Sequence, residues 1–189
     1  MRQNGSCIKF MNRAVFLDRD GVINRSILVN GVPKPPLTIE DVEILEGAVY
    51  AIKILKAHGF IPVVITNQPD VARGKVSRLQ VEVINRYLAA ATSISYFYSC
   101  FHDDIDGCSC RKPAPGLINT AAADLDIDIP NSYLVGDRWR DIAAGQAAGC
   151  PSLFIDYSYQ ERTPEKPFRK VSSLEEAAKF IIGAQYGAE

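Results

Sequence analysis

Asp18 and Asp20 stand two residues apart at the end of a short apolar run, and Gly21 follows them. A carboxylate at Asp18 is ionised at neutral pH and needs no base to attack phosphorus, provided a divalent cation offsets the repulsion of an anionic substrate. Asp20 is then the acid that protonates the leaving oxygen and the base that activates water against the aspartyl-phosphate. Thr66-Asn67-Gln68 closes a second apolar run, where a hydroxyl and backbone N–H groups suit phosphoryl oxygens. Arg111-Lys112-Pro113 supplies fixed cations, and Asp137 and Asp141 follow a third run. Asp137 joins Asp18 and Asp20 as a Mg2+ ligand, and Asp141 orients Lys112 or the waters of the metal. Each motif alone has an ordinary alternative, namely a solvated turn, a helix cap or a surface basic pair. Their order at successive strand ends favours one catalytic site, with Arg19, Asn67, Gln68, Arg73 and Arg111 as candidate substrate contacts.

A second constellation is Cys100-Phe101-His102 followed after five residues by Cys108-Ser109-Cys110. Three thiolates and one imidazole complete a tetrahedral set for Zn2+ and leave no open position, so this ion is read as structural. Cys7 and Cys150 stand apart and read as small apolar fillers or unremarkable thiols. Asp103, Asp104 and Asp106 read as a solvated acidic turn, and His58 as a helix-end cap beside Gly59.

Elements that put these residues together are apolar, β-branched or aromatic runs at Ala14–Leu17, Ile61–Thr66, Tyr133–Gly136 and Ser152–Ile155, with a weaker one at Ile94–Tyr98. Helical patterns lie between them: one on Ala48, Ile52 and Leu55, one after a Ser77 cap, and others at Pro115–Leu125, Trp139–Ala148 and Ser173–Ala184. Strands alternating with helices predict an α/β, Rossmann-like parallel sheet with helices on both faces. Ligands in such sheets lie beyond the carboxyl ends of the strands, which is where Asp18, Thr66 and Asp137 fall. The chain reads as one domain over residues 14–189, with a metal loop at 100–110, and no segment is long enough for a large cap domain. Residues 30–36 read as a flap, 163–167 as a tether for the last helix, and 1–13 as a flexible leader, with Met11 as an alternative start. Net charge is -1 and no apolar run has the length of a membrane span. Those facts predict a cytoplasmic monomer with a small substrate and no nucleic-acid or membrane partner.

With those motifs in place, the chain resembles the haloacid dehalogenase-like superfamily over roughly residues 14–156. An aspartate at Asp20 is similar to its phosphatases and phosphomutases and unlike its dehalogenases. Asp18 to Asn24, Thr66 to Gln68, Ala72 to Gly74 and Cys110 to Pro113 resemble the heptose 1,7-bisphosphate 7-phosphatases and the related histidinol-phosphatases. That resemblance implies a Mg2+-dependent phosphomonoesterase on a phosphorylated sugar, with Lys112 stabilising the phosphoryl group and Arg111 recognising the substrate. Pro69-Asp70 and a short metal loop depart from the heptose pattern, which keeps a histidinol-phosphate phosphatase as the alternative. A nucleic-acid 3'-phosphatase is a more distant one, disfavoured by the charge balance. A zinc-stabilised binding module with a vestigial site is a third, and it is expected to have lost Asp20, Lys112 or Asp137.

Overall fold

The computed structural model describes residues 11–186. Six parallel strands form the sheet: β1 (Arg13–Leu17), β4 (Phe60–Asn67), β5 (Tyr96–Cys100), β6 (Tyr133–Gly136), β7 (Ser152–Ile155) and β8 (Arg169–Val171). Their spatial order is β5-β4-β1-β6-β7-β8. The three strands whose ends carry carboxylates or Thr66 are therefore neighbours at its centre. The helices are α1 (Ala48–Ala57), α2 (Arg78–Thr92), α3 (Gly116–Asp124), α4 (Trp139–Ala148) and α5 (Leu174–Tyr186).

Side chains alternate along β1: Val15 and Leu17 join one core, while Ala14 and Phe16 join the other. The first core takes Ile52 and Leu55 from α1, Ile84 and Leu88 from α2, and Ala177 and Ile181 from α5. The second takes Leu117, Ile118 and Ala121 from α3 and Ile142 from α4. Full burial of each Val, Leu or Ile stabilises the fold by about 1.5–3 kcal/mol, and both faces of the sheet are used this way. Ser77 caps α2 as expected, accepting from the Gln80 N–H at 3.2 Å while the Gln80 side chain accepts from the Ser77 N–H at 2.9 Å.

Between β1 and α1 the expected flap is a two-stranded antiparallel hairpin, β2 (Ile27–Val29) and β3 (Val32–Lys34). Asn30 and Gly31 turn it with positive φ of 52° and 75°, the backbone that a two-residue hairpin turn requires. No inserted cap domain is present among the described residues. The segment read as a tether leads into β8, an extra edge strand. The leader is shorter than expected at its inner end, because Arg13 opens β1 and the Asn12 N–H donates to Asp126 O at 2.8 Å. Residues 1–10 of that leader lie outside the described residues.

Candidate active site and metal loop

Leu17 is in register with Val64 on one side and Val135 on the other. The residues that follow β1, β4 and β6 therefore emerge side by side, and the Asp18 N–H extends the ladder by donating to Val135 O at 3.0 Å. The Asp18 carboxylate is 2.8 Å from Lys112 Nζ, which is also 2.6 Å from Asp141 Oδ1 and donates to Ile65 O at 2.8 Å. All three ammonium protons thus have partners. Burial opposes the charge of Lys112, but Asp141 and Asp18 outweigh it and raise its pKa, so it stays protonated. Asp141 also holds the backbone, since its other oxygen accepts from the Arg138 N–H at 2.9 Å and caps α4. A Cβ on Gly136 would lie 2.2 Å from Asp141 Cβ, so only glycine lets the strand end pass this close.

Asp18, Asp137 and Asp141 each offer a carboxylate oxygen, and all three oxygens lie within 4.8 Å of one another. Asp137 is 1% exposed, neither of its side-chain oxygens has a partner at hydrogen-bond geometry, and the Tyr159 hydroxyl close by is the one group that pulls its pKa down by hydrogen bonding. Burial, then the charges of Asp18 and Asp141, raise its pKa well above the carboxylate range. Asp18 rises to about 7, from burial and the Asp141 charge, with Lys112 pulling the other way. Three carboxylates buried beside one ammonium repel one another, which is what raises these pKa values, and a hard divalent cation fits the orphaned oxygens of Asp137. Gly21 secures the room: at φ 93° it turns the chain so tightly that a Cβ there would stand 1.9 Å from Asp137 Oδ2.

Asp20 stands apart from this group. Its oxygens accept from Arg19 Nε at 3.1 Å and Nη2 at 3.0 Å, from Asn24 Nδ2 at 2.9 Å and from Gln68 Nε2 at 2.9 Å. Its side chain is thus held outside the three-carboxylate cluster, although it was expected among the Mg2+ ligands. Thr66 is nearly inaccessible and accepts from the Gln68 amide at 2.9 Å. It lines a cavity of about 50 Å3 together with Asp18, Asp20 and Lys112.

Of the expected substrate contacts, Arg19 has no exposed surface and spans from Asp20 to Asn85, and Gln68 is 1% exposed between Asp20 and Thr66, so both hold Asp20 in place. Asn67 does line the cavity, and its amide also brackets the Lys112 backbone, donating to its carbonyl at 2.9 Å and accepting its N–H at 3.1 Å. Arg73 is bound to Asp103 and Asp70. Arg111 donates to Asp104 at 2.9 Å and to His102 O at 3.3 Å. Residues that sequence reasoning gave no role are Asn85 and, lining the cavity, Arg138 and Arg140; the hairpin residue Lys34, expected as surplus positive charge around the crevice, also lines it.

In the metal loop, Cys100, Cys108, Cys110 and His102 each point one donor atom inward, all within 4.8 Å of one another. The sulfur separations are 3.7, 3.2 and 3.4 Å, and His102 Nδ1 lies 3.5 and 3.3 Å from Cys100 and Cys110. Sulfurs about 2.3 Å from a tetrahedral centre lie about 3.8 Å apart, so the set closes on one ion. Burial pushes the Cys100 thiol up to about 12 and also raises Cys110, whereas hydrogen bonds to Cys108 overcome burial and lower it. Ion binding must therefore displace thiol protons. The acidic turn is not simply solvated. Arg73 holds Asp103 ionised, down to about 2, and a hydrogen bond from Arg111 lowers the Asp104 carboxyl below its ordinary value.

The HAD-hydrolase-like family model matches residues 109–177. A D-glycero-alpha-D-manno-heptose-1,7-bisphosphate 7-phosphatase from Photorhabdus laumondii is 37% identical over 155 residues, 76% of this chain and 81% of that protein. The chain belongs to the haloacid dehalogenase-like phosphatases. This phosphatase is also 34% identical, over 183 residues, to the D-glycero-beta-D-manno-heptose-1,7-bisphosphate 7-phosphatase of Escherichia coli K12, covering 90% of this chain and 88% of that one. Among solved structures, the D,D-heptose 1,7-bisphosphate phosphatase of B. bronchiseptica, complexed with magnesium and phosphate, is similar with a TM-score of 0.79 and 27% identity. The match covers 91% of this phosphatase and 99% of that chain. No helix among the described residues is long and apolar enough to cross a membrane.

Proposed function

We propose that this phosphatase removes the 7-phosphate of D-glycero-D-manno-heptose 1,7-bisphosphate through an aspartyl-phosphate on Asp18. The observation that carries the chemistry is the orphaned, buried carboxylate of Asp137 beside Asp18 and Lys112. The sugar comes from the names of the relatives, which include both anomers. Mg2+ held by Asp18 and Asp137 supplies positive charge where the transferring phosphoryl oxygens gather. Asp18 attacks phosphorus, and Lys112 and Thr66 hold the phosphoryl oxygens. Asp20, held by Arg19, Asn24 and Gln68, gives its proton to the departing sugar oxygen and takes one from the water that then hydrolyses the aspartyl-phosphate. Zn2+ at Cys100, His102, Cys108 and Cys110 has a structural part, fixing the loop that leads into Arg111 and Lys112. Phosphate release from heptose 1,7-bisphosphate, heptose monophosphate and histidinol phosphate, with Mg2+ and after chelation, tests the reading. It expects Mg2+-dependent turnover with the highest kcat/KM on the bisphosphate; preference for histidinol phosphate, or turnover indifferent to Mg2+, overturns it.

A further inference from the structure

Arg19 carries a charge and has no exposed surface, so its guanidinium nitrogens must find acceptors inside the protein. Two of them grip the neighbouring residue: Nε donates to Asp20 Oδ1 at 3.1 Å and Nη2 to Asp20 Oδ2 at 3.0 Å. The planar fork matches the carboxylate, and the two adjacent side chains move as one unit. The third nitrogen leaves that unit, since Nη1 donates at 3.0 Å to Oδ1 of Asn85 on α2. The Asn85 amide is oriented in turn, because its Nδ2 lies 3.3 Å from the Ser99 hydroxyl on β5. Ser99 is in register with Thr66 on β4, which lines the cavity. A chain of polar side chains therefore runs from the edge strand through α2 to Asp20. Among the described residues, every side-chain hydrogen bond of Arg19 goes to Asp20 or to Asn85. Without Asn85, the fork still binds Asp20, but nothing on the surrounding elements fixes the direction in which the joined pair points.

We infer that Asn85 is a positioning residue for proton delivery: through Arg19 it sets the angle at which Asp20 faces the departing oxygen. The inference rests on the phosphatase reading above and extends it to a residue on α2 that does not line the cavity. As an Asp18 oxygen forms its bond to phosphorus, the bond from phosphorus to the leaving oxygen breaks with its electron pair, and the Asp20 proton moves to that oxygen. Only the last of these events depends on the aim of Asp20, and its weight depends on the leaving group. A sugar alkoxide is a strong base that departs slowly without a proton, whereas para-nitrophenolate departs unassisted. If Asn85 served only to satisfy a buried guanidinium, its loss would lower stability and affect every phosphate ester alike. If it aims Asp20, the loss of rate grows with the basicity of the leaving group.

The test measures kcat/KM for para-nitrophenyl phosphate, phenyl phosphate and heptose 1,7-bisphosphate in the metal-loaded protein and in Asn85→Ala and Ser99→Ala. This ratio covers events up to departure of the leaving group, so hydrolysis of the aspartyl-phosphate, common to all three esters, does not enter. Asn85→Ala is expected to lower kcat/KM about ten- to hundredfold for the bisphosphate, less for phenyl phosphate, and under about twofold for para-nitrophenyl phosphate. Ser99→Ala removes only the acceptor that orients the amide, and is expected to give the same order of losses, with about threefold on the bisphosphate. Equal losses on all three esters in Asn85→Ala, or no loss on any, overturn the inference and leave the phosphatase reading intact. Should Asn85→Ala fail to fold, the Ser99→Ala series decides by the same trend, and a flat one overturns the inference. A parent protein that does not turn over the bisphosphate overturns the heptose assignment alone, and the two aryl esters then decide the role of Asn85.

Discussion

The carboxylate crevice and the metal loop adjoin each other, but they are stabilised in different ways. Asp18, Asp137 and Asp141 project from strand and helix ends whose neighbours, Leu17, Val135 and Ile142, are fully buried in the two cores. The loop from Cys100 to Cys110 has almost no core. Its 3-10 turn Asp104–Asp106 buries nothing, and Ile105 is 92% exposed. Its shape rests on four inward donors and on the ion pairs of Asp103 and Asp104 with Arg73, Arg111 and Arg140. In the first region, chemistry is mounted on a frame that stands without it and even tolerates three carboxylates crowded together. In the second, the ligands are the frame. Substitutions in the crevice should therefore separate activity from stability, and substitutions in the loop should couple them.

The largest expected effect is on turnover. Asp18→Asn should lower kcat by about 10^4-fold or more, as loss of a covalent nucleophile does, while thermal unfolding of the metal-free protein stays the same or rises because one buried charge is gone. Steady-state phosphate release and calorimetry check this, and turnover within about tenfold of the parent would falsify the nucleophile assignment. Arg19→Met should come next, destabilising the protein by about 3–5 kcal/mol in urea unfolding, because Asp20 loses its buried partner. A KM defect with unchanged stability would instead return Arg19 to the substrate. Cys108→Ser, or removal of the loop ion by a chelator, should cost about 2 kcal/mol, lowering Tm by about 4–8 °C with helix content retained in circular dichroism. Under the same treatment, activity on a bisphosphate should fall more than activity on an aryl phosphate, because Arg111 moves with the loop. An unchanged Tm, or a complete loss of helix signal, would erase the contrast between the two regions. The smallest effect belongs to Asp103→Asn, which weakens the half-buried, two-pronged pair with Arg73, where Tm should fall by about 2–4 °C, the scale of roughly 1 kcal/mol.

The frame of the crevice was the more legible of the two in the sequence. The apolar runs that became β6, β7 and the pattern that became α4 have their expected bounds, because fully buried strands and a capped helix leave local signals. Asp18, Thr66 and Asp137 converge as strand ends must in a parallel sheet, and Lys112 reaches Asp18 from the turn before α3. The burial of Arg19 had no such signal. Arginine is almost never fully buried unless paired, and its far partner Asn85 is 66 residues away in α2. The ties of Arg73 and Arg111 to the acidic turn are likewise long-range and follow from the folded loop, not from spacing. The hairpin was legible in principle, since Asn30-Gly31 between Val29 and Val32 is a strong turn signal, but three-residue strands beside Pro33 and Pro35 read more easily as a proline-rich flap. β8 is equally short and buries only Val171.

That short last strand has a consequence for how molecules of this phosphatase meet. An open sheet presents unpaired N–H and C=O groups along each outer strand, and these are templates for adding a strand from another chain. β8 is such a border, but it is three residues long and two of them are the exposed cations Arg169 and Lys170. Two copies docking along this border would set arginine and lysine of one beside arginine and lysine of the other, and like charges across a strand pair repel. The Arg169 guanidinium is also drawn over the Phe180 ring at 4.0 Å, which covers part of the apolar surface beside the border. The sequence that finishes the sheet thereby discourages its extension, through an element that gives the core only Val171.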